Sequence, residues 1–410
     1  MPHDRIDAAL RAALAELDAG GRRKGAETVI TGVIAPQGGR GPRYRIAGEG
    51  ERAFLRMNAN SYLGLALHPD VIAADDAAVR AYGAGPGAAR FISGTWAPHV
   101  ALERRLAAFH GREAAILYSS AYAAVMGTLP TLITPETAVI SDALNHNCII
   151  NAMRLARPAE KHVYRHLDLG ELEARLADAA KACRRAIVVT DGIFSMRGDH
   201  APLAEIMAIA RRHDAAFAEN VVVMVDDSHG VGAFGATGRG TEEHCAAPPA
   251  DILVGTIGKA FGVNGGYVAG SAALIDTLRE VSPFYVYSNP ITPGEAAAAL
   301  AALDILEGPR GRALLDHLRA MTRRFSDGLK ALGFETIAGG HPVVPLMVRD
   351  GERTRALVRH LRARGILATG LGYPVVPRGD EEIRFQICAD HTPADIDEAL
   401  AALAAFRAAG

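Results

Sequence analysis

The sequence predicts an α/β fold, a mostly parallel sheet followed by a smaller C-terminal α+β domain. Two observations carry this. From Ala53 onward, helical patterns alternate with short apolar runs: AAILYSS, TAVISD, RAIVVTDG, VVVMVDDSHG, DILVGTIGKA and GGYVAG. Uniformly apolar runs of this length are strands covered by helices on both faces. After Pro293 an Ala/Leu-rich helical stretch, residues 294–332, leads into a second pattern. There HPVVPLMV, GILATGLGY and EIRFQICA read as strands around the helix ERTRALVRHLRARG.

Ahead of these, residues 4–18 place Ile6, Leu10, Leu14 and Leu17 at helical spacing, with Gly20-Gly21 as the stop. Residues 35–52, rich in Gly, Pro and Arg, form a loop or small hairpin leading inward. The expected division is an N-terminal helix and arm (1–56), a large α/β domain (57–298) and a small α+β domain (299–410). A chain of 410 residues exceeds what one core organises, which agrees with two subdomains.

Composition narrows the function. A net charge of −2 supplies no attraction for nucleic acid or an anionic membrane surface. No apolar run approaches the length of a bilayer span, and the N-terminal segment carries acids rather than a signal-type apolar stretch. Cys148, Cys183, Cys245 and Cys388 lie far apart without metal or disulfide spacing, as reduced thiols of a cytoplasmic protein would.

The chemistry gathers where open α/β sheets place ligands, at the C-terminal ends of strands. Asp191 ends one run, Asp226 ends VVVMVD with His229 three residues on, and Thr256 and Lys259 follow DILVG. A fourth strand, ILYSS, runs into a helix whose first N–H groups, at Ala121 and Tyr122, suit a phosphate. Most lysines are solvated surface charges. Lys259 instead follows an apolar strand among Gly255, Gly258, Gly262, Gly265 and Gly266, which let the backbone approach a bound group. Burial lowers a lysine pKa, and a neutral amine forms an imine with an aldehyde.

Alone, Asp226 could merely cap a turn. Metal binding by Asp226, Asp227 and His229 lacks a second ligand cluster, so no metal is expected. Beside a pyridine nitrogen, the same carboxylate keeps the ring protonated so that it can absorb a carbanion's electrons. His229 could then hydrogen-bond a phenolic oxygen, His146 in ISDALNH could stack on the ring, and Thr256 could place its hydroxyl by the phosphate. Arg384, in EEIRFQICAD, offers a fork for a carboxylate. As an ordered set these residues point to a pyridoxal 5′-phosphate (PLP) enzyme with the cofactor held on Lys259 as a Schiff base.

The phrases NSYLGLALHPDVI, ARFISGT, ISDALNH, DGIFSMRGD, VMVDDSHGVGAFGATGRG, GTIGKAFG and IRFQICADHTPADI resemble the α-oxoamine synthases, PLP enzymes of fold type I. The likeness runs from about Asn58 to the C-terminus, and GYPVVPRG tilts it toward the glycine-acetylating branch. Asn147 after the histidine, Ala121 in the phosphate turn and the short AFGVNGGY segment depart from that branch. The resemblance implies that Lys259 holds the cofactor and moves the α-proton, and that Asp226 pairs with the pyridine nitrogen. It places His229 and Ser195 at the phenolic oxygen and His146 on the ring. Ala121, Tyr122 and Thr256 would hold the phosphate, and Ser288 would reach it from a second subunit of a homodimer with shared active sites. Asn60 and Arg384 would grip the amino-acid carboxylate. The implied reaction condenses glycine, or another small amino acid, with an acyl-CoA, foremost acetyl-CoA, to give a 2-amino-3-oxo acid and free CoA. Decarboxylating branches of the family, and an aminotransferase or aldolase on the same fold, are the alternatives. A non-catalytic relative would be expected to have lost the lysine or its partners.

Overall fold

The computed structural model describes residues 3–20, 22–373 and 375–408. Pro374, inside the GYPVVPRG phrase, and Gly21, in the expected helix stop, lie outside the described residues.

All six apolar runs are strands of one seven-stranded sheet. In chain order these are Ala114–Tyr118 (β1), Thr137–Asp142 (β2), Glu160–Tyr164 (β3), Arg185–Asp191 (β4), Val221–Asp226 (β5), Ile252–Thr256 (β6) and Gly266–Gly270 (β7). The spatial order is β1-β7-β6-β5-β4-β2-β3. Strands β2 to β6 pair in parallel, and β7 runs antiparallel to both β1 and β6.

Two cores explain the uniform runs. Ala138 and Ile140, Ala186 and Val188, and Val223 and Val225 point to one face, packing with Leu172, Leu176, Leu203 and Ile206. Their neighbours Val139, Ile187, Val189 and Met224 point to the other, against Val125, Leu129, Ile149 and Met153. Side chains alternate along a strand, so covering both faces erases the polar alternation. The edge strand β3 escaped the sequence pattern because it is half solvated: EKHVY alternates between partly buried and exposed positions.

The N-terminal helix is present as Asp4–Ala19, and its Ile6, Leu10 and Leu14 are exposed. Within the expected loop or hairpin region, Arg43–Ile46 pairs antiparallel with Ile30–Ile34. The single helical stretch expected over 294–332 is two helices, Pro293–Glu307 and Pro309–Ala331, interrupted at Gly308 with Pro309 opening the second.

The smaller antiparallel sheet contains Glu335–Thr336 (β8), Val343–Met347 (β9), Thr369–Leu371 (β10) and Glu382–Gln386 (β11), in the order β8-β9-β11-β10. A short N-terminal strand, Leu55–Arg56, pairs in parallel with Ile366–Leu367, and Gln386 N–H donates to the Met57 carbonyl (2.9 Å). This threading carries the NSYLGL segment beneath β11. Among the described residues no helix is long and apolar enough to cross a membrane.

His166, just past β3, ties strand ends together. Its ring nitrogens meet Asp142 (3.0 Å) and Asp199 (3.2 Å). Burial opposes its charge, but the hydrogen bonds and charges of the two carboxylates outweigh this and raise the pKa from 6.5 to about 9. A raised folded-state pKa stabilises fully below 6.5, and the benefit is lost as pH climbs through 9. A His166→Ala variant should therefore lose about 2–3 kcal/mol at pH 6. The deficit should shrink at pH 10. Urea midpoints at both pH values check this, and a pH-independent deficit refutes it.

Candidate active site

Adjacent strands deliver the acidic groups side by side. In the β4–β5 register Asp191 stands opposite Asp226. Asp226 is buried; Oδ1 accepts from Ser228 N–H (3.1 Å), and the Cys148 thiol lies 3.6 Å from Oδ2. Asp191 accepts from His146 N–H (3.0 Å) through Oδ2, and its Oδ1 is buried without a partner. Burial first, then the charge of Asp226, raises the Asp191 pKa well above the ordinary range.

Lys259 lies in the turn after β6, where its carbonyl accepts from Gly262 N–H (3.0 Å). Gly262 has φ +73°, and a Cβ there would sit 2.3 Å from the Ala66 nitrogen, so the turn needs glycine. Burial lowers the Lys259 pKa to about 8, against the opposing pull of Asp226. A useful share of the amine is thus neutral near pH 7.5.

His146, at the N-terminus of the helix Asn147–Leu155, feels Asp226 and Lys259, with its pKa lowered chiefly by burial. The Tyr122 ring stands edge-on to it at 6.4 Å. His229 is buried and held neutral by desolvation, its pKa far below 6.5. Its Nδ1 lies 2.6 Å from the Tyr62 hydroxyl. Burial also raises the Tyr62 pKa, so the O–H stays protonated, and it reaches Asn60 Oδ1 as well (3.3 Å). With Nδ1 occupied by Tyr62, Nε2 is the ring nitrogen left to meet a bound group. His341 supports this arrangement by donating from Nε2 to the His229 carbonyl (2.9 Å). Tyr62 and His341 were not assigned from sequence. Tyr62 lies inside the NSYLGL phrase, whereas His341 carries no local signal.

The phosphate corner is equally specific. Ser120 caps the helix Ala121–Leu132 by accepting from Ala123 N–H, and the first-turn N–H groups of Ala121 and Tyr122 lack helical partners. Gly266, opposite Thr256 in the β6–β7 register, lets that helix end approach: a Cβ there would sit 2.2 Å from the Ala121 nitrogen. Thr256 and the helix N-terminus therefore share one corner. Thr256 Oγ1 donates to the Gly265 carbonyl and accepts from Gly258 N–H (3.1 and 3.2 Å).

Arg384 meets Asn60 Oδ1 at 3.3 Å, and Gln386 meets the same oxygen at 2.9 Å. The Arg384 Nε is buried and unpartnered. Ser195 lines a small cavity with Leu144 and Phe194. Ser288 stands apart and is half-buried, its hydroxyl 3.4 Å from the Asn289 carbonyl.

The family model for aminotransferase class I and II matches residues 52–403. The 2-amino-3-ketobutyrate coenzyme A ligase of Escherichia coli K12 is 44% identical over 351 residues, 85% of this chain and 86% of that one.

The chain belongs to the α-oxoamine synthase family.

The human mitochondrial 2-amino-3-ketobutyrate coenzyme A ligase is 42% identical over 88% of this chain and 84% of its own. The 8-amino-7-oxononanoate synthase of Thermosipho melanesiensis is 39% identical over 92% of this chain and 93% of that one. Among solved structures, Sphingomonas wittichii serine palmitoyltransferase superposes with a TM-score of 0.87 at 28% identity, covering 99% of this chain and 98% of that one.

The pocket of this α-oxoamine synthase fits PLP on its own terms. It brings together a tuned amine, a buried carboxylate at a strand end and a glycine-dependent cradle of N–H groups. The unpartnered Ser228 Oγ and Arg384 Nε are polar atoms that a bound polar group would satisfy.

Proposed function

We propose that this α-oxoamine synthase condenses glycine with acetyl-CoA to give 2-amino-3-ketobutyrate and free CoA, with PLP bound to Lys259. The observation that carries the reading is the mutual proximity of Lys259, Asp226, His146 and His229 in a chain 44% identical to a 2-amino-3-ketobutyrate coenzyme A ligase. When bound, the cofactor supplies an electron sink that makes the glycine α-carbon nucleophilic.

The chain's own residues supply the rest. Lys259 takes the α-proton, with its basicity set near neutral pH by burial. Asp226 would hold negative charge against the ring nitrogen, while His229 would meet the phenolic oxygen through Nε2 beside Ser195. His146 covers the ring face. Ala121 and Tyr122 N–H groups and the Thr256 hydroxyl anchor the phosphate, and Ser288 completes that anchor from a second copy in a homodimer. The exposed Tyr287, 85% accessible in one chain, supports burial of this segment between copies. Arg384 and Asn60 hold the glycine carboxylate and so present the α-carbon to Lys259.

The test is release of CoA thiol from acetyl-CoA with and without glycine. Glycine-dependent release is expected, and none from PLP-loaded protein would remove the reading. The 39% identity to an 8-amino-7-oxononanoate synthase favours a second reading, in which the product also loses its carboxylate. Carbon dioxide release alongside thiol would select it. An Arg384→Ala variant should raise the glycine KM about 10- to 100-fold, the scale of a lost charge-assisted hydrogen bond. An unchanged KM would take Arg384 out of the carboxylate site.

A further inference from the structure

Beside the Ser195 loop lies a cavity of about 110 Å³, walled by Leu144, Phe194, Met347, Val375 and Val376. Its polar lining consists of Ser195, Arg197, Asp380 and Glu382, and of these Glu382 is 2% exposed with Oε1 buried without a hydrogen-bond partner. Leaving a buried carboxyl oxygen unsatisfied costs about 1–3 kcal/mol, so this placement needs a reason. Alternation along β11 puts Ile383 in the core and Glu382 on the same face as Arg384. Glu382 therefore sits about 7 Å along the strand from the residue proposed to hold the glycine carboxylate.

We propose that this cavity seats the acyl group of the thioester, and that Glu382 restricts it to short, uncharged acyl groups. The inference rests on the condensation reading above. The new carbon–carbon bond forms at the glycine α-carbon as the C–S bond of the thioester breaks and CoA leaves with the sulfur's electron pair. The acyl carbon thus ends within a few bonds of the carboxylate, and because glycine has no side chain the adjoining space falls to the acyl group. A cavity of this size has room for a short acyl group rather than a long chain. A longer alkyl chain would press against the carboxyl of Glu382, and a terminal carboxylate would meet Glu382 and Asp380, while Arg197 in the same wall is already paired with Asp199 (2.8 Å).

The groups facing Glu382 are Arg384 and Arg197, which favour its ionised form, and Asp380 and Asp199, which oppose it; burial outweighs them and lifts its pKa to about 8. Glu382 is therefore mostly neutral at pH 6.5 and charged at pH 9, so rejection of a dicarboxylic acyl group should sharpen between those values.

The experiment measures glycine-dependent thiol release from acetyl-, butyryl-, hexanoyl- and succinyl-CoA by PLP-loaded wild type, E382A and E382Q. Wild type should favour acetyl-CoA over hexanoyl-CoA by at least about 100-fold in kcat/KM, and E382A should narrow this to below about tenfold. In wild type the succinyl-to-acetyl ratio should fall about tenfold from pH 6.5 to pH 9, and E382Q should abolish that fall. Donor affinities measured by calorimetry should follow the same order. Should E382A fail to fold, E382Q decides. Thiol release with donor ratios unchanged in the folded variants overturns the role of Glu382 alone. No release from any donor by wild type overturns the condensation reading, and this inference with it.

Discussion

Replacing Lys259 with alanine should cut turnover by at least about 10³-fold, the scale of a lost general acid–base group combined with lost covalent attachment. The structure gives the reason in one residue. The side chain sits in a glycine-dependent turn at the end of β6, its pKa is pulled to about 8 by burial, and Asp226 and Asp191 keep it from falling further. Arginine at this position would keep charge but could not lose a proton at neutral pH, so Lys259→Arg should be nearly as inactive. Two readouts separate the chemical role from a folding defect. Borohydride reduction should fix PLP irreversibly to wild type and not to the alanine variant. Circular dichroism should show the variant folded, since the apolar strand that places the lysine is untouched. More than a tenth of wild-type activity in the alanine variant would end the mechanism.

Much of this site was legible in the sequence because sheet topology does the gathering. An apolar run ending in a polar residue marks the C-terminal end of a strand, and β4, β5 and β6 are neighbours, so Asp191, Asp226 and the Thr256–Lys259 turn had to meet. The half-solvated edge strand β3 lacked that signal. The Asn60–Arg384 contact had no local signature at all. It depends on Leu55–Arg56 pairing in parallel with Ile366–Leu367, more than 300 residues away in the chain. Nor could spacing show that Tyr62 holds the His229 ring, because that rests on a 2.6 Å contact between separate segments. Glu382 was invisible for a different reason. A glutamate on a strand in EEIRFQ reads as a solvated face, and only burial exposes the anomaly.

Asp226→Asn is the sharper probe of the electrostatics. It should lower kcat by about 10²- to 10³-fold, the usual cost of one preorganised charge interaction, while the lysine still takes up reducible PLP. Asparagine keeps the shape and an acceptor for Ser228 N–H but removes the negative charge. Asp191 will not replace it in place: its free oxygen is buried, and its other oxygen is committed to His146 N–H. Losing the charge of Asp226 removes a neighbour that disfavours ionisation of Asp191, so the Asp191 pKa should fall toward the ordinary range. The same loss withdraws the principal favourable charge from Lys259, whose pKa should drop below its present value of about 8. Labelling of Lys259 by an amine-specific reagent in the cofactor-free variant would report that acid shift directly. A wild-type kcat together with an unmoved labelling midpoint would show that Asp226 only caps its strand. A lowered kcat with the shifted midpoint would place it at the centre of the site's charge balance.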